Sequence, residues 1–140
     1  MSIYVRYLSR SLTGFLLLLH VGLGVWAGIG FIELVAPGVP WPPLSNPLFP
    51  PVVLFFHWTS VLIAAVLFVL GYLLRWPLLP VLMISAYGAM AVVCAVETFG
   101  FMVHNGRYVA MAVEYLAYLS ILLFLFRSGD MRQRFGAAKS

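Results

Sequence analysis

Two glutamates, a histidine and an arginine fall within CAVETFGFMVHNGRYVAMAVEY, residues 94–115, in a chain that otherwise avoids charge. Carboxylates and imidazoles can take up and release protons, bind a cation, or hold the polar group of a ligand. In apolar surroundings such groups are costly unless they are paired or neutralised. With two residues from earlier in the chain, the candidate ligand-binding residues are Glu33, His57, Glu97, His104, Arg107 and Glu114.

The composition indicates an integral membrane protein. Of 140 residues, 64% are hydrophobic and only 9% are charged, whereas a soluble domain carries about 25% charged residues. At this length we expect one membrane domain covering residues 1–140. The net charge of +4 lies mostly beside the apolar runs, which favours anchoring to an anionic membrane face over nucleic-acid binding. The lone Cys94 is expected to be a packing residue rather than a nucleophile.

Four apolar runs are long enough to cross a bilayer, at about residues 12–34, 51–74, 78–102 and 108–126. A crossing takes about 20 helical residues, and the backbone must be helical because lipid offers no hydrogen bonds. The predicted fold class is therefore an all-α integral membrane protein, a four-transmembrane-helix bundle.

The basic residues predict the orientation of this bundle. Seven lie on one side of the predicted spans, whereas Arg107 is the only one on the other. By the positive-inside rule both termini are cytoplasmic, and we expect a bacterial inner membrane. The seven are Arg6, Arg10, Arg75, Arg127, Arg132, Arg134 and Lys139.

The loop at residues 36–50 is rich in proline, which predicts a stiff, extended cover over the outer mouth of the bundle. It is either a rigid connector or a lid or docking surface. In the first span Gly24 and Gly28 form a GxxxG pair, which permits close helix packing in lipid. This pair packs the bundle internally, or it faces another subunit or an apolar ligand.

Depth along the helices suggests partners for the ionisable groups. At 1.5 Å per residue, His57 and Glu114 each lie roughly 9 Å below the outer ends of their spans, so they can meet if the helix faces allow. Glu97 lies about 5–8 Å deep, and Glu33 is at the outer edge. The three carboxylates outnumber Arg107, so protonation, a charged histidine or a bound cation must balance the excess.

No cofactor is predicted. His20 and His57 differ in depth by roughly 10 Å, which argues against a haem with two histidine ligands, and no HxxxH or ExxH spacing supports a metal site. The segment LHVGLGVWAGIGF resembles the first helix of small haem-associated membrane proteins related to copper-resistance and protoporphyrinogen-oxidase families, but its spacing from His20 to Trp26 departs by one from their pattern.

The architecture is similar to that of the sterol-isomerase and sigma-2-receptor class of membrane proteins. That resemblance implies an intramembrane cavity in which Glu97 and Glu114 act as acids and His57 acts as a base. The longer first outer loop and the acidic loop motifs of that class are absent from this sequence.

Three function classes follow from the sequence. The leading expectation is a non-catalytic accessory subunit of a larger membrane complex, or a self-associating protein, with membrane lipids as further partners and no nucleic acid. The alternative is a protein that binds a lipid or apolar ligand, or an enzyme acting on one, with His57 and Glu114 as an acid-base pair and Glu97 as a further catalytic candidate. A proton-coupled or cation transporter working as an oligomer is the second alternative.

Overall fold

The computed structural model describes residues 3–36, 38 and 45–136, which form five α-helices and no strand. Most of the loop between the first two helices and the last four residues lie outside this part of the chain. The helices are α1 (Ile3–Val35), α2 (Pro51–Leu73), α3 (Leu79–Gly100), α4 (Arg107–Arg127) and α5 (Gly129–Phe135).

Four of the five helices are long and apolar enough to cross a membrane, and the shortest of them has 21 residues. At 1.5 Å per residue that helix is about 32 Å long, which matches the hydrocarbon thickness of a bilayer. A multi-pass membrane protein is therefore supported. We call the end that carries Arg75 and α5 the basic end, and the opposite end the proline-rich end.

The bounds of α2, α3 and α4 lie within two residues of the predicted spans. The first helix differs, because it begins at Ile3 rather than near Leu12. The prediction followed the apolar run, whereas polar residues near the N-terminus continue the helix. The Thr13 hydroxyl donates to the Ser9 carbonyl at 2.8 Å, and the Ser9 hydroxyl lies 3.3 Å from that of Ser128.

The short helix α5 was not predicted. Ser128 is extended, with φ −63° and ψ 130°, and so separates α5 from α4. Met131 and Phe135 are buried in the core. Arg134 donates to the Tyr72 carbonyl at 2.9 Å, and its guanidinium lies 3.9 Å from the centre of the Tyr72 ring. The chain thus returns to the end of α2 after the fourth long helix.

The main packing is between successive helices, α1 on α2, α2 on α3, and α3 on α4. Most of the buried core belongs to α2 and α3, and Leu125 is the one fully buried residue that α4 contributes. Because α4 packs chiefly against α3 and α5, space remains between it and the first two helices.

Glycines bring α1 close to α2 at two positions. A Cβ atom added at Gly24 would lie 3.5 Å from the Cβ of Ala65, and one added at Gly30 would lie only 2.1 Å from Cε2 of the Trp58 indole. The same addition at Gly28 would meet nothing within 4 Å. In the predicted Gly24 and Gly28 pair, only Gly24 therefore faces a neighbouring helix closely, and the tightest approach is at Gly30.

The turn after α2 has a residue with an unusual backbone conformation. The Trp76 N–H donates to the Gly71 carbonyl at 2.9 Å, and the Arg75 N–H to the Tyr72 carbonyl at 3.3 Å. This pair of bonds defines a Schellman motif, whose left-handed position usually holds glycine. Here that position holds Arg75, with φ 55°, although a left-handed conformation costs a non-glycine residue about 1–2 kcal/mol.

The proline-rich loop is described at residues 36, 38 and 45–50 only. Ser45 donates to Glu33 through its backbone N–H at 2.9 Å and its hydroxyl at 2.8 Å, and Phe49 is buried beside Phe101. The end of the loop is thus held against the proline-rich end of the bundle. The predicted cover formed by Pro37, Pro40, Pro42 and Pro43 lies outside the described residues, as does Lys139.

Candidate functional site

His57 and Glu97 form a close pair between α2 and α3. Nδ1 of His57 lies 2.7 Å from Oε1 of Glu97, so the ring N–H donates to the carboxylate. The Glu97 side chain is 5% exposed and that of His57 is 22% exposed. A buried carboxylate needs such a partner. Nε2 of His57 makes no hydrogen bond within the described residues, and it can therefore bond to a ligand.

Glu114 has different partners. The Cys94 thiol donates to its Oε2 at 3.2 Å, and the Tyr118 hydroxyl donates to its Oε1. These donors come from α3 and from the next turn of α4. Two donors on one carboxylate satisfy part of its hydrogen-bonding capacity inside the bundle.

The expected pairing of His57 with Glu114 is not seen as a direct hydrogen bond among the described residues, because His57 pairs with Glu97 and Glu114 with Cys94 and Tyr118. His57 and Glu114 do line the same cavities. The depth argument compared distances along separate helices and carried no information on which helices are neighbours. Because α3 packs directly on α2 whereas α4 packs on α3, the carboxylate that contacts His57 is Glu97 on α3.

A cavity of about 220 Å³ opens beside both carboxylates. Four of the six predicted ligand-binding residues line it: His57, Glu97, Arg107 and Glu114. The described end of the proline-rich loop also contributes to its wall, through Ser45, Asn46 and Phe49. We call this space the polar cavity.

A second cavity, of about 260 Å³, lies further toward the middle of the helices. All four long helices line it, and most of its surface is apolar. Trp26, His57 and Glu114 line both this apolar cavity and the polar cavity. The two spaces are therefore adjacent, with a polar part followed by an apolar part.

His20 lies in the wall of the apolar cavity with both ring nitrogens occupied. Its Nδ1 is 2.7 Å from the Leu16 carbonyl, and its Nε2 is 2.7 Å from the Tyr87 hydroxyl. A carbonyl only accepts, so Nδ1 carries a proton and, in the neutral ring, Tyr87 donates to Nε2. The ring also stacks on Phe68 at 3.8 Å. These contacts hold His20 as a fixed part of the core.

One buried donor beside the polar cavity has no acceptor. Trp58 is 1% exposed, lines the polar cavity, and its indole N–H makes no hydrogen bond within the described part of the chain. The indole packs against His57, with ring centres 4.5 Å apart. A buried polar group without a partner is costly, so a ligand acceptor that reached this N–H would relieve that cost.

The other predicted residues have more peripheral places. Arg107 donates to the Met102 carbonyl and, at 2.9 Å, to the Tyr108 hydroxyl, and the salt bridges of the described residues do not include it. Glu33 holds Ser45 at the edge of the polar cavity. His104 is exposed in the loop between α3 and α4, and it is not part of the cavity wall.

Metal ligands are not grouped in the part of the chain that the structure describes. No three His, Cys, Asp or Glu side chains come together there in an arrangement that could hold a metal ion. His57 with Glu97 and Cys94 with Glu114 form two separate pairs. The chemistry they offer is hydrogen bonding and proton exchange with a small polar group.

Sequence reasoning did not include Cys94, Tyr118, Tyr87 or Trp58 among the site residues. Tyr118 could have been found, because it lies four residues after Glu114 and so on the same face of the helix. Cys94 lies three residues before Glu97, which gives a weaker signal of the same kind. Tyr87 and Trp58 enter through tertiary packing alone. Comparisons with protein-family models, curated proteins and solved structures gave no match.

Proposed function

We propose that this protein binds a small lipid-soluble molecule with a polar head group, held between its four long helices. The observation that carries the proposal is the junction of the polar and apolar cavities at Trp26, His57 and Glu114. Ligand sites are typically concave and largely apolar, with a few polar groups that orient the ligand. The head group would lie in the polar cavity, and the apolar body would follow toward the middle of the membrane.

The polar cavity offers both kinds of hydrogen bond to such a head group. The Trp58 indole N–H is a donor without an acceptor, and Nε2 of a neutral His57 is an acceptor whose other nitrogen is held by Glu97. A carbonyl or hydroxyl group on the ligand would match these two positions. The pair of His57 and Glu97 also supplies a group that can pass a proton, so the function extends to acid-base chemistry on the bound molecule.

In this proposal both termini face the cytoplasm, and the protein belongs to a bacterial inner membrane. The basic end supports this orientation through Arg10, Arg75 and the arginines of α5. The polar cavity would then lie in the outer half of the bilayer. The expectation of an accessory subunit in a larger complex, and the expectation of an oligomeric transporter, stay predictions.

Native purification followed by mass spectrometry of retained small molecules tests the proposal. His57→Gln alters the polar cavity, and Ala117→Phe fills the apolar cavity without changing charge. Each should lower the amount of retained molecule by roughly tenfold or more, which corresponds to the loss of a good hydrogen bond or of access to the site. His104→Gln is the matched control, because the same change is made in an exposed loop.

Equal retention by all four proteins would refute a ligand in these cavities, as would the absence of any retained species other than bulk phospholipid. The same purification tests the accessory-subunit prediction independently. That prediction requires the same larger complex to accompany the protein, whatever the state of His57.

A further inference from the structure

A third cavity, of about 400 Å³, lies at the basic end and is separate from the polar cavity. It is formed by the start of α1, the turn between α2 and α3, and α5. We call it the basic cavity. Its wall includes Arg10, Tyr72, Arg75, Asp130 and Arg134.

Three arginines contribute positive charge to the basic cavity against one carboxylate. Within the described residues, none of the three forms a salt bridge with that carboxylate. Arg134 is held in place by the Tyr72 carbonyl and the Tyr72 ring. Guanidinium groups present several N–H donors in a fixed plane that matches the oxygens of a phosphate. The cavity therefore has the charge and the donors for a phosphate group.

The backbone at Arg75 is a second feature of the basic cavity. Arg75 occupies the left-handed position of the Schellman motif with φ 55°, where glycine would be unstrained. Strained residues concentrate at functional sites. An arginine at this position contributes a guanidinium to the wall of the basic cavity, which a glycine could not supply.

Asp130 adds a requirement for hydroxyl groups. Its Oδ2 atom is buried and has no hydrogen-bond partner within the described part of the chain. A carboxylate oxygen accepts hydrogen bonds and would repel a bare phosphate. A ligand that carries hydroxyl groups beside its phosphate would satisfy both the arginines and Asp130.

We propose that the basic cavity binds the head group of an anionic phospholipid that carries free hydroxyl groups, such as phosphatidylglycerol. The phosphate would lie against Arg10, Arg75 and Arg134, and a glycerol hydroxyl would donate to Asp130. The location suits a lipid, because a membrane helix meets the head-group layer at the basic end and basic pockets between helices bind anionic head groups. This site is independent of the ligand proposed for the polar cavity.

The test uses the full-length protein in nanodiscs of phosphatidylcholine with increasing phosphatidylglycerol, and native mass spectrometry counts the anionic lipids that stay bound. Arg75→Gln removes the charge but leaves the left-handed strain, whereas Arg75→Gly removes both. Arg132→Gln is the matched control, because it removes one charge from an exposed position on α5 outside the cavity.

Both Arg75 variants should bind phosphatidylglycerol roughly tenfold more weakly, while Arg132→Gln keeps the affinity of the unchanged protein. Arg75→Gly should also unfold at a temperature at least as high as the unchanged protein, which shows that the loss of lipid is not a loss of fold. Asp130→Asn should reduce the preference for phosphatidylglycerol over phosphatidic acid, which lacks the glycerol hydroxyls.

Two results would overturn the proposal. Equal losses in Arg75→Gln and Arg132→Gln would mean that diffuse surface charge attracts the lipid, and unchanged binding in all variants would mean that the cavity holds no phosphate. The phosphate group could come from a lipid head group or from free phosphate. Adding inorganic phosphate to the protein in phosphatidylcholine nanodiscs distinguishes these two sources. If inorganic phosphate alone raises the unfolding temperature as much as phosphatidylglycerol does, the cavity binds a soluble anion and the lipid assignment is overturned.

Discussion

Alanine at Gly30 should destabilise the protein, whereas alanine at Gly28 should not. A Cβ atom at Gly30 would lie 2.1 Å from Cε2 and 2.3 Å from Cδ2 of the Trp58 indole, while carbon atoms pack best at about 3.5–4.0 Å. The indole would have to retreat by more than about 1 Å, yet it is 1% exposed and packs against the rings of Trp26 and His57. Overpacking of this kind costs about 1–3 kcal/mol.

The control isolates this packing cost. Gly28 lies in the same helix, and a Cβ atom there would meet nothing within 4 Å. Both substitutions gain the same helix propensity of up to about 1 kcal/mol, so that gain cancels in the comparison. The free energy of unfolding should therefore be about 1–3 kcal/mol lower for Gly30→Ala than for Gly28→Ala.

Unfolding of the two variants by sodium dodecyl sulfate in mixed micelles, followed by tryptophan fluorescence, measures this difference. Equal midpoints would refute the close approach of α1 and α2 at Trp58. Because the Trp58 ring lies against those of His57 and Trp26, Gly30→Ala should also reduce ligand retention in the polar cavity. Gly28→Ala should leave it unchanged.

Three further predictions concern the core and the basic end. Tyr87→Phe leaves the ring of His20 without its hydroxyl partner, so it should lower the free energy of unfolding by about 1 kcal/mol in the same micelle assay; no change would exclude that bond. Arg134→Lys loses the flat contact with the Tyr72 ring, so trypsin should cleave within α5 faster than in the unchanged protein, and an equal cleavage rate would contradict that contact. Cys94 is 6% exposed, so a membrane-permeant maleimide should label it only as the protein unfolds, and rapid labelling of the folded state would contradict its burial.

The long helices were predicted well because each depends on a continuous run of apolar residues, which is visible in the sequence. A run of apolar residues must be helical in lipid, so hydropathy alone located α2, α3 and α4 to within two residues. The start of α1 was missed since Ser9 and Arg10 are polar but do not interrupt a helix. Helix α5 was not predicted because seven residues give little periodic signal. Its position depends on the packing of Met131 and Phe135 in the core.

The site was predicted in part for the same reason. Polar residues within apolar runs are visible in a sequence, and His57, Glu97 and Glu114 do line one cavity. Their pairing depends on which helices are neighbours and on how each helix is rotated, and neither is encoded by depth. The unpartnered indole of Trp58 is a property of packing between α1 and α2, which a single sequence does not reveal.

The attachment of α4 has a consequence for how a molecule could enter. Three hydrogen bonds tie the chain after α4 back to the first two helices, one between Ser9 and Ser128 and two from Arg134 to the Tyr72 carbonyl, and all lie at the basic end. At the proline-rich end α4 is joined to α3 by the loop at residues 101–106, and the hydrogen bond from Cys94 to Glu114 ties the two helices again. The side of α4 that faces α1 is therefore where a molecule from the bilayer could reach the two cavities with the fewest contacts to break.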